Sequence, residues 1–371
     1  MTRLRETLND IADEAPLVNL ADVAIAGYRR RRRLTTGAAA LGTALVLAAA
    51  TVATTVPWQH QQPAASQDAA TVPDLPAGKV GPLSHAYQTR CEVTTQRSLN
   101  CDDVEWRVVT AAGATYRVPQ ALAMTTKEWR VPVSISRDGR MLAYYSRQAQ
   151  AHVIRDLMTG TEVTSPVPIT EDRIGAGSML VVSDDGRYVV FDPREGSKDP
   201  GTLIDVRTGR TVSLNGKYEV VSAKGGVVEL VRYVKTDLWL MPVTGGGKPV
   251  RFKGPYIMFN EVSPDGRTVI AVHWDRRNRD LKTGTVTVLD VKSGRVVRTL
   301  PIRGLPKDNK YTALLSTGPW TSGHEFTVVY ATKERVATYA VDADTGQARQ
   351  LTGYQRAFGE LVLPGVGEPV S

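Results

Sequence analysis

Seven aspartates recur in two short phrases, and carboxylates at fixed spacing are the first candidates for chemistry in this chain. Asp138, Asp185 and Asp265 stand third in Ser-x-Asp-Gly-Arg, and Asp156, Asp205, Asp290 and Asp342 open Asp-x-x-Thr/Ser-Gly. Clustered acids can hold a metal or move protons. These acids instead occupy the same turn position in separate repeats, where Asp accepts backbone hydrogen bonds and Gly takes positive φ. Asp342 to Gly346 has the outline of a calcium loop but lacks the bidentate acid downstream. His60, His85, His152, His273 and His324 are scattered, with no i, i+4 pair. Ser178 follows Gly175-Ala176-Gly177 and lacks the second glycine of a nucleophile elbow. No catalytic residue, cofactor or metal is therefore expected. Cys91 and Cys101, the chain's two cysteines, are expected to form a disulfide, with two unrelated buried thiols as the alternative. Such a short loop corresponds to roughly 2.8 kcal/mol of chain entropy.

The elements carrying these turns are strand-length β-branched and aromatic runs, such as residues 141–145, 188–191 and 268–272. Asp138 to Asp185 is 47 residues, Asp185 to Asp265 is 80, Asp156 to Asp205 is 49 and Asp290 to Asp342 is 52. A period in the forties with four strands per unit predicts an all-β propeller. Five units run from about 125 to 352 and residues 84–120 begin a sixth, so six blades are expected, with seven left open. The tail at 358–363 is one further strand, expected to close the ring by joining the N-terminal blade. No helical period of useful length appears in this region.

The Ser-x-Asp-Gly-Arg phrase resembles the TolB-type propeller repeat. So do Asp237-Leu238-Trp239-Leu240-Met241-Pro242-Val243, Gly246-Gly247-Lys248-Pro249 and the blade ending at residues 341–351. The resemblance covers about residues 125–352 and implies a ring-shaped binding scaffold; it does not name a ligand. The wider layout is similar to single-pass propeller proteins of actinobacteria.

Ahead of the repeats the chain divides into three parts. Residues 1–33 are expected to form a helical arm, with Leu4, Leu8 and Ile11 on one face and five arginines at 29–33. Residues 34–56 carry no charge and are expected to be a membrane helix, with the arginines cytoplasmic and the remainder outside. A cleaved export signal is the alternative. Residues 57–82, rich in Pro, Gln and Ala, are expected to be an extended linker to a domain at 83–371. Of the net charge of +8, residues 1–33 carry +2 and the remainder +6, and that remainder has no dense basic helix, which argues against nucleic acid. Two loops extend hairpins, at 191–200 and at 275–282, and Arg276, Arg277 and Arg279 of the second are candidate partner contacts.

The expected function is a non-enzymatic, membrane-anchored, extracytoplasmic scaffold for a protein, peptide or envelope glycan. One alternative is a zinc-free, anti-sigma-like regulator whose residues 1–28 hold a cytosolic protein through Leu4, Leu8 and Ile11. The other is a hydrolase or lyase with its site in the propeller channel.

Overall fold

A computed structural model describes residues 72–93, 99–194, 199–233, 236–275, 277, 279–306, 312–333, 335–355 and 360–367. Six four-stranded antiparallel sheets follow one another along the chain. Blade 1 holds β1 (Leu83–Gln88), β4 (Trp106–Thr110) and β5 (Thr115–Arg117), with a small hairpin of β2 (Glu92–Val93) and β3 (Leu99–Asn100) inserted. Blade 2 is β6 (Ser134–Ile135), β7 (Met141–Ser146), β8 (Ala151–Asp156) and β9 (Glu162–Thr164). Blade 3 is β10 (Met179–Val182), β11 (Tyr188–Asp192), β12 (Thr202–Asp205) and β13 (Thr211–Ser213). Blade 4 is β14 (Glu219–Lys224), β15 (Val227–Arg232), β16 (Asp237–Pro242) and β17 (Val250–Arg251). Blade 5 is β18 (Tyr256–Ile257), β19 (Thr268–His273), β20 (Thr285–Asp290) and β21 (Val296–Pro301). Blade 6 is β22 (Ala313–Trp320), β23 (Glu325–Ala331), β24 (Arg335–Asp342) and β25 (Ala348–Gln355).

The last strand, β26 (Glu360–Val362), is the inner strand of blade 1 and pairs antiparallel with β1 (Ala86↔Val362, Gln88↔Glu360). The ring of six blades is thus closed by its two ends, as the tail strand's position in the sequence suggested.

The middle strands read as continuous apolar runs because each is covered on both faces by neighbouring blades. Six apolar clusters result, each spanning one seam. Phe326, Val328 and Val286 share one, for example, and Tyr145, Ile154 and Phe191 share another. The repeated phrases are hydrogen-bond modules. In three blades the serine Oγ donates to the aspartate Oδ1 (2.7, 2.6 and 2.6 Å). The same Oγ accepts the backbone N–H that starts the next strand (2.8, 2.9 and 2.9 Å). Both phrases fall at one end of the strands, here called the turn face. The opposite end carries the inserted loops and is called the loop face.

One seam holds an unusual occupant. His152 on β8 is 1% exposed, neither ring nitrogen has a hydrogen-bond partner among the described residues, and it lies between the Tyr145 and Phe191 rings. Burial pushes its pKa down to about 3. An unfolded histidine takes a proton near 6.5, so stability is full above that pH and falls as the pH drops toward 3. His152→Leu is expected to remove this loss, about 3 kcal/mol at pH 4. Acid-unfolding curves of the two proteins, followed by near-ultraviolet circular dichroism, check it; coincident curves refute it.

Residues 72–82, expected as the end of the linker, form a strap against blades 1 and 2. Leu75 is buried, the Leu75 N–H donates to the Arg117 carbonyl (2.8 Å), and Asp74 pairs with the Arg117 guanidinium (2.6 Å). The buried Arg155 side chain donates to the carbonyls of Pro76 and Gly78.

The expected fold class needs correction at its N-terminal end. The helical arm and membrane helix fall on residues 1–56, outside the described residues. Among the described residues no helix is long and apolar enough to cross a membrane. The single α-helix described, α1 (Arg279–Thr283), has five residues and spans about 7.5 Å, against about 30 Å of hydrocarbon. Single-pass anchorage and the cell-membrane location expected from it are set aside on this finding. The loop at 275–282 extends the β19–β20 hairpin as expected, and α1 lies within that extension.

Candidate functional site

The inner strands of the blades surround a central channel, and the side chains lining it toward the turn face come from successive blades. Arg137, second residue of the blade 2 phrase, contributes a cation. Asp184 stands at the same position in blade 3. Lys224 ends β14 in blade 4, and Glu261 lies on the irregular inner strand that continues β18 in blade 5. Arg137 Nη2 lies 3.1 Å from Asp184 Oδ2, and its Nη1 reaches across the channel to Glu261 Oε1 at 3.5 Å. Lys224 Nζ stands 3.4 Å from the same oxygen. The Trp320 N–H in blade 6 also donates to Glu261 Oε1 (3.0 Å), and the Trp320 indole donates to its carbonyl (2.9 Å). Charges of alternating sign therefore form a belt across the channel and tie blades 2 to 6 together.

A second carboxyl lies behind the belt. Glu229 on β15 is 3% exposed and accepts hydrogen bonds at Oε2 from the Val262 N–H (2.9 Å) and Ser222 Oγ (3.1 Å). Its Oε1 has no partner among the described residues. Burial pushes this carboxyl up to about 8; its two hydrogen bonds pull partly back, and the charge of Glu261 pushes the same way as burial. Two neighbouring carboxyls in unlike environments are a pattern of acid–base catalysis. Here Glu229 is sealed in the wall. Glu261 is 6% exposed and held by two cations and a backbone N–H.

The tail at 363–367 crosses the same mouth. Gly365 and Gly367 line two cavities of about 350 and 390 Å³, counting space open to solvent, on either side of it. The second cavity is also lined by Met258, held at a positive φ of 54°, and by Asn260, whose buried Nδ2 has no partner among the described residues.

None of the belt residues was singled out from the sequence. Cys91 and Cys101 are joined as a disulfide that staples the inserted hairpin of blade 1. Leu4, Leu8, Ile11 and Arg276 lie outside the described residues. Arg277 is exposed on the loop face, its N–H donating to Asp275 Oδ1 (3.0 Å), and Arg279 begins α1. Arg277 and the start of α1 therefore lie at the opposite end of the strands from the belt. Among the described residues no group of three or more His, Cys, Asp or Glu could hold a metal. The belt residues escape a reading of the sequence because two of them fill the variable position of a repeated phrase.

The loop face has one conspicuous feature near the channel rim. Residues 124–130 form a tight hairpin with a Met124↔Arg130 bridge, and the Thr125 N–H donates to the Trp129 carbonyl (2.8 Å). Glu128 takes a φ of 61°. Arg130 pairs with Glu360 at the start of β26 (2.7 Å), and Glu171 accepts from the Thr126 N–H (2.5 Å). This braced turn leaves the Trp129 ring 42% exposed.

No protein-family profile matches the chain, and no curated protein matches it by sequence. Among solved structures, it is similar to TolB from Acinetobacter baumannii at 18% identity and a TM-score of 0.45, covering 75% of this chain and 65% of that one. A candidate TolB from Agrobacterium tumefaciens is similar at 15% identity and a TM-score of 0.45, with 74% and 91% covered. Dihydro-heme d1 dehydrogenase NirN in complex with DHE is similar at 18% identity and a TM-score of 0.40, with 75% and 56% covered. The chain spans less than two thirds of the length of NirN and of the Acinetobacter protein.

Proposed function

We propose that this chain is a non-enzymatic binding scaffold that presents the loop face of its ring to a protein or peptide. The observation that carries this reading is Trp129. It is a large aromatic ring held in solvent by a short, multiply braced hairpin beside the channel rim. Exposed aromatics on preorganised turns make efficient contact anchors, because little conformational freedom remains to be lost on binding. The β11–β12 and β19–β20 connections, the latter carrying α1, open on that same face. The channel's charged groups are, by contrast, engaged with one another.

A photo-crosslinking residue at position 129, with a second at Val297 on the outer edge of blade 5 as control, tests this. A discrete adduct from position 129 and none from 297 is expected. Trp129→Ala is expected to weaken capture of that ligand at least about tenfold. Equal labelling from both positions, or capture indifferent to Trp129→Ala, would sink the reading.

A further inference from the structure

The tail that follows β26 makes no strand, yet it lies against blades 2, 3, 4 and 6. The Gly365 N–H donates to the Ile135 carbonyl of blade 2 (3.0 Å). A Cβ on Gly365, whose φ is 68°, would stand 3.1 Å from Pro319 of blade 6 and 3.2 Å from Arg137 of blade 2. A Cβ on Gly367 would stand 2.9 Å from the Val221 carbonyl of blade 4 and 3.5 Å from Val181 of blade 3. Between the two glycines Val366 is buried against Leu361 and Leu363 and the β23 and β24 side chains of blade 6. The segment thus passes through a slot that only glycine backbone fits at two points, and it is anchored by two buried side chains, Leu363 and Val366.

We propose that residues 363–367 are an intramolecular plug that closes the turn-face mouth of the channel and can leave while the ring stays folded. Three features distinguish a plug from a structural keystone. Ring closure is already made by β26 pairing with β1. The charge belt joins blades 2 to 6 without using any tail side chain. The tail's glycines contribute close approach to the wall but no side-chain contact. Departure of the plug merges the two cavities beside it and widens access to the buried Glu261, next to Arg137, Asp184 and Lys224, which are already partly exposed. This proposal concerns the turn face and stands independently of the scaffold reading of the loop face.

The test uses the full chain with Val181→Cys as a reporter in the channel wall; the native cysteines are already joined and do not compete. Maleimide labelling of the reporter thiol is compared with and without Gly367→Val, which blocks the slot, and with Val366→Asp, which removes one of the two anchors. Each protein's melting transition is recorded alongside. Labelling accelerated at least about tenfold by either change, with the transition retained, supports a plug that opens locally. Equal labelling rates overturn it. So does loss of the folded ring in both variants, which would make the tail part of the fold.

Discussion

Gly294→Ala is expected to destabilise the ring by roughly 4 kcal/mol, whereas Gly266→Ala should cost only about 1–2 kcal/mol. Both glycines end repeated turns and both have positive φ, 66° and 70°. Their surroundings differ. A Cβ at Gly294 would overlap the Arg251 carbonyl oxygen, and it would lie 2.9 Å from that carbonyl carbon and 3.1 Å from the Phe252 ring. The obstacle is backbone at the end of β17, fixed in turn by the Phe252 N–H donating to Thr236 (2.9 Å). It cannot swing aside as a flexible side chain would. Nothing lies within 4 Å of a Cβ at Gly266, so only the left-handed strain remains there. Urea unfolding of the two variants decides the matter. Equal losses would mean that the seam between blades 4 and 5 yields, and that turn strain alone accounts for both.

Glu229→Gln is expected to stabilise the protein above neutral pH, by about 4 kcal/mol at pH 8. The folded carboxyl holds its proton to about 8, against the 4.5 of an exposed glutamate. Between those values the unfolded chain gives up a proton that the folded one retains. Unfolding therefore becomes easier as pH rises through that window, by about 1.4 kcal/mol per unit. An amide has the same shape and still accepts from Val262 and Ser222, but it never has to ionise. Burial also holds Asp192 up at about 7, so some slope remains in both proteins. The difference between the two stability curves is the relevant quantity, and it should widen from pH 5 to pH 8. A constant difference across that range would show that Glu229 ionises in the folded state as easily as in the unfolded one.

What could be read from the sequence follows from how repeats encode structure. The Ser-x-Asp-Gly-Arg and Asp-x-x-Thr/Ser-Gly phrases are local, and each makes its own hydrogen bonds, so blade number and ring closure were legible. His324 stands in the blade 6 turn as its place in the repeat implied, its carbonyl accepting from the Ala343 N–H (2.7 Å). The outer strands β9, β13 and β17 were not individually visible, because two or three largely exposed residues show no alternation. Blade 4 was blurred because Gly225-Gly226 replaces the Asp-Gly turn there. The channel belt was illegible for a different reason. Arg137 and Glu261 are far apart in sequence and meet only across the assembled ring, and their local contexts are those of ordinary turn and strand residues.

The pairing of β26 with β1 also sets a clock. During synthesis β1 emerges early, and its inner neighbour follows only with residues 360–362. At ribosomal speeds of about 5–20 residues per second, that interval is roughly a quarter of a minute to a minute. Throughout it, blade 1 presents a bare strand edge able to pair with any other extended chain. Yield in the cell should therefore respond to translation rate and to chaperones that cover β-edges. A circular permutant placing residues 360–367 directly before the strap should mature sooner after its first blade appears.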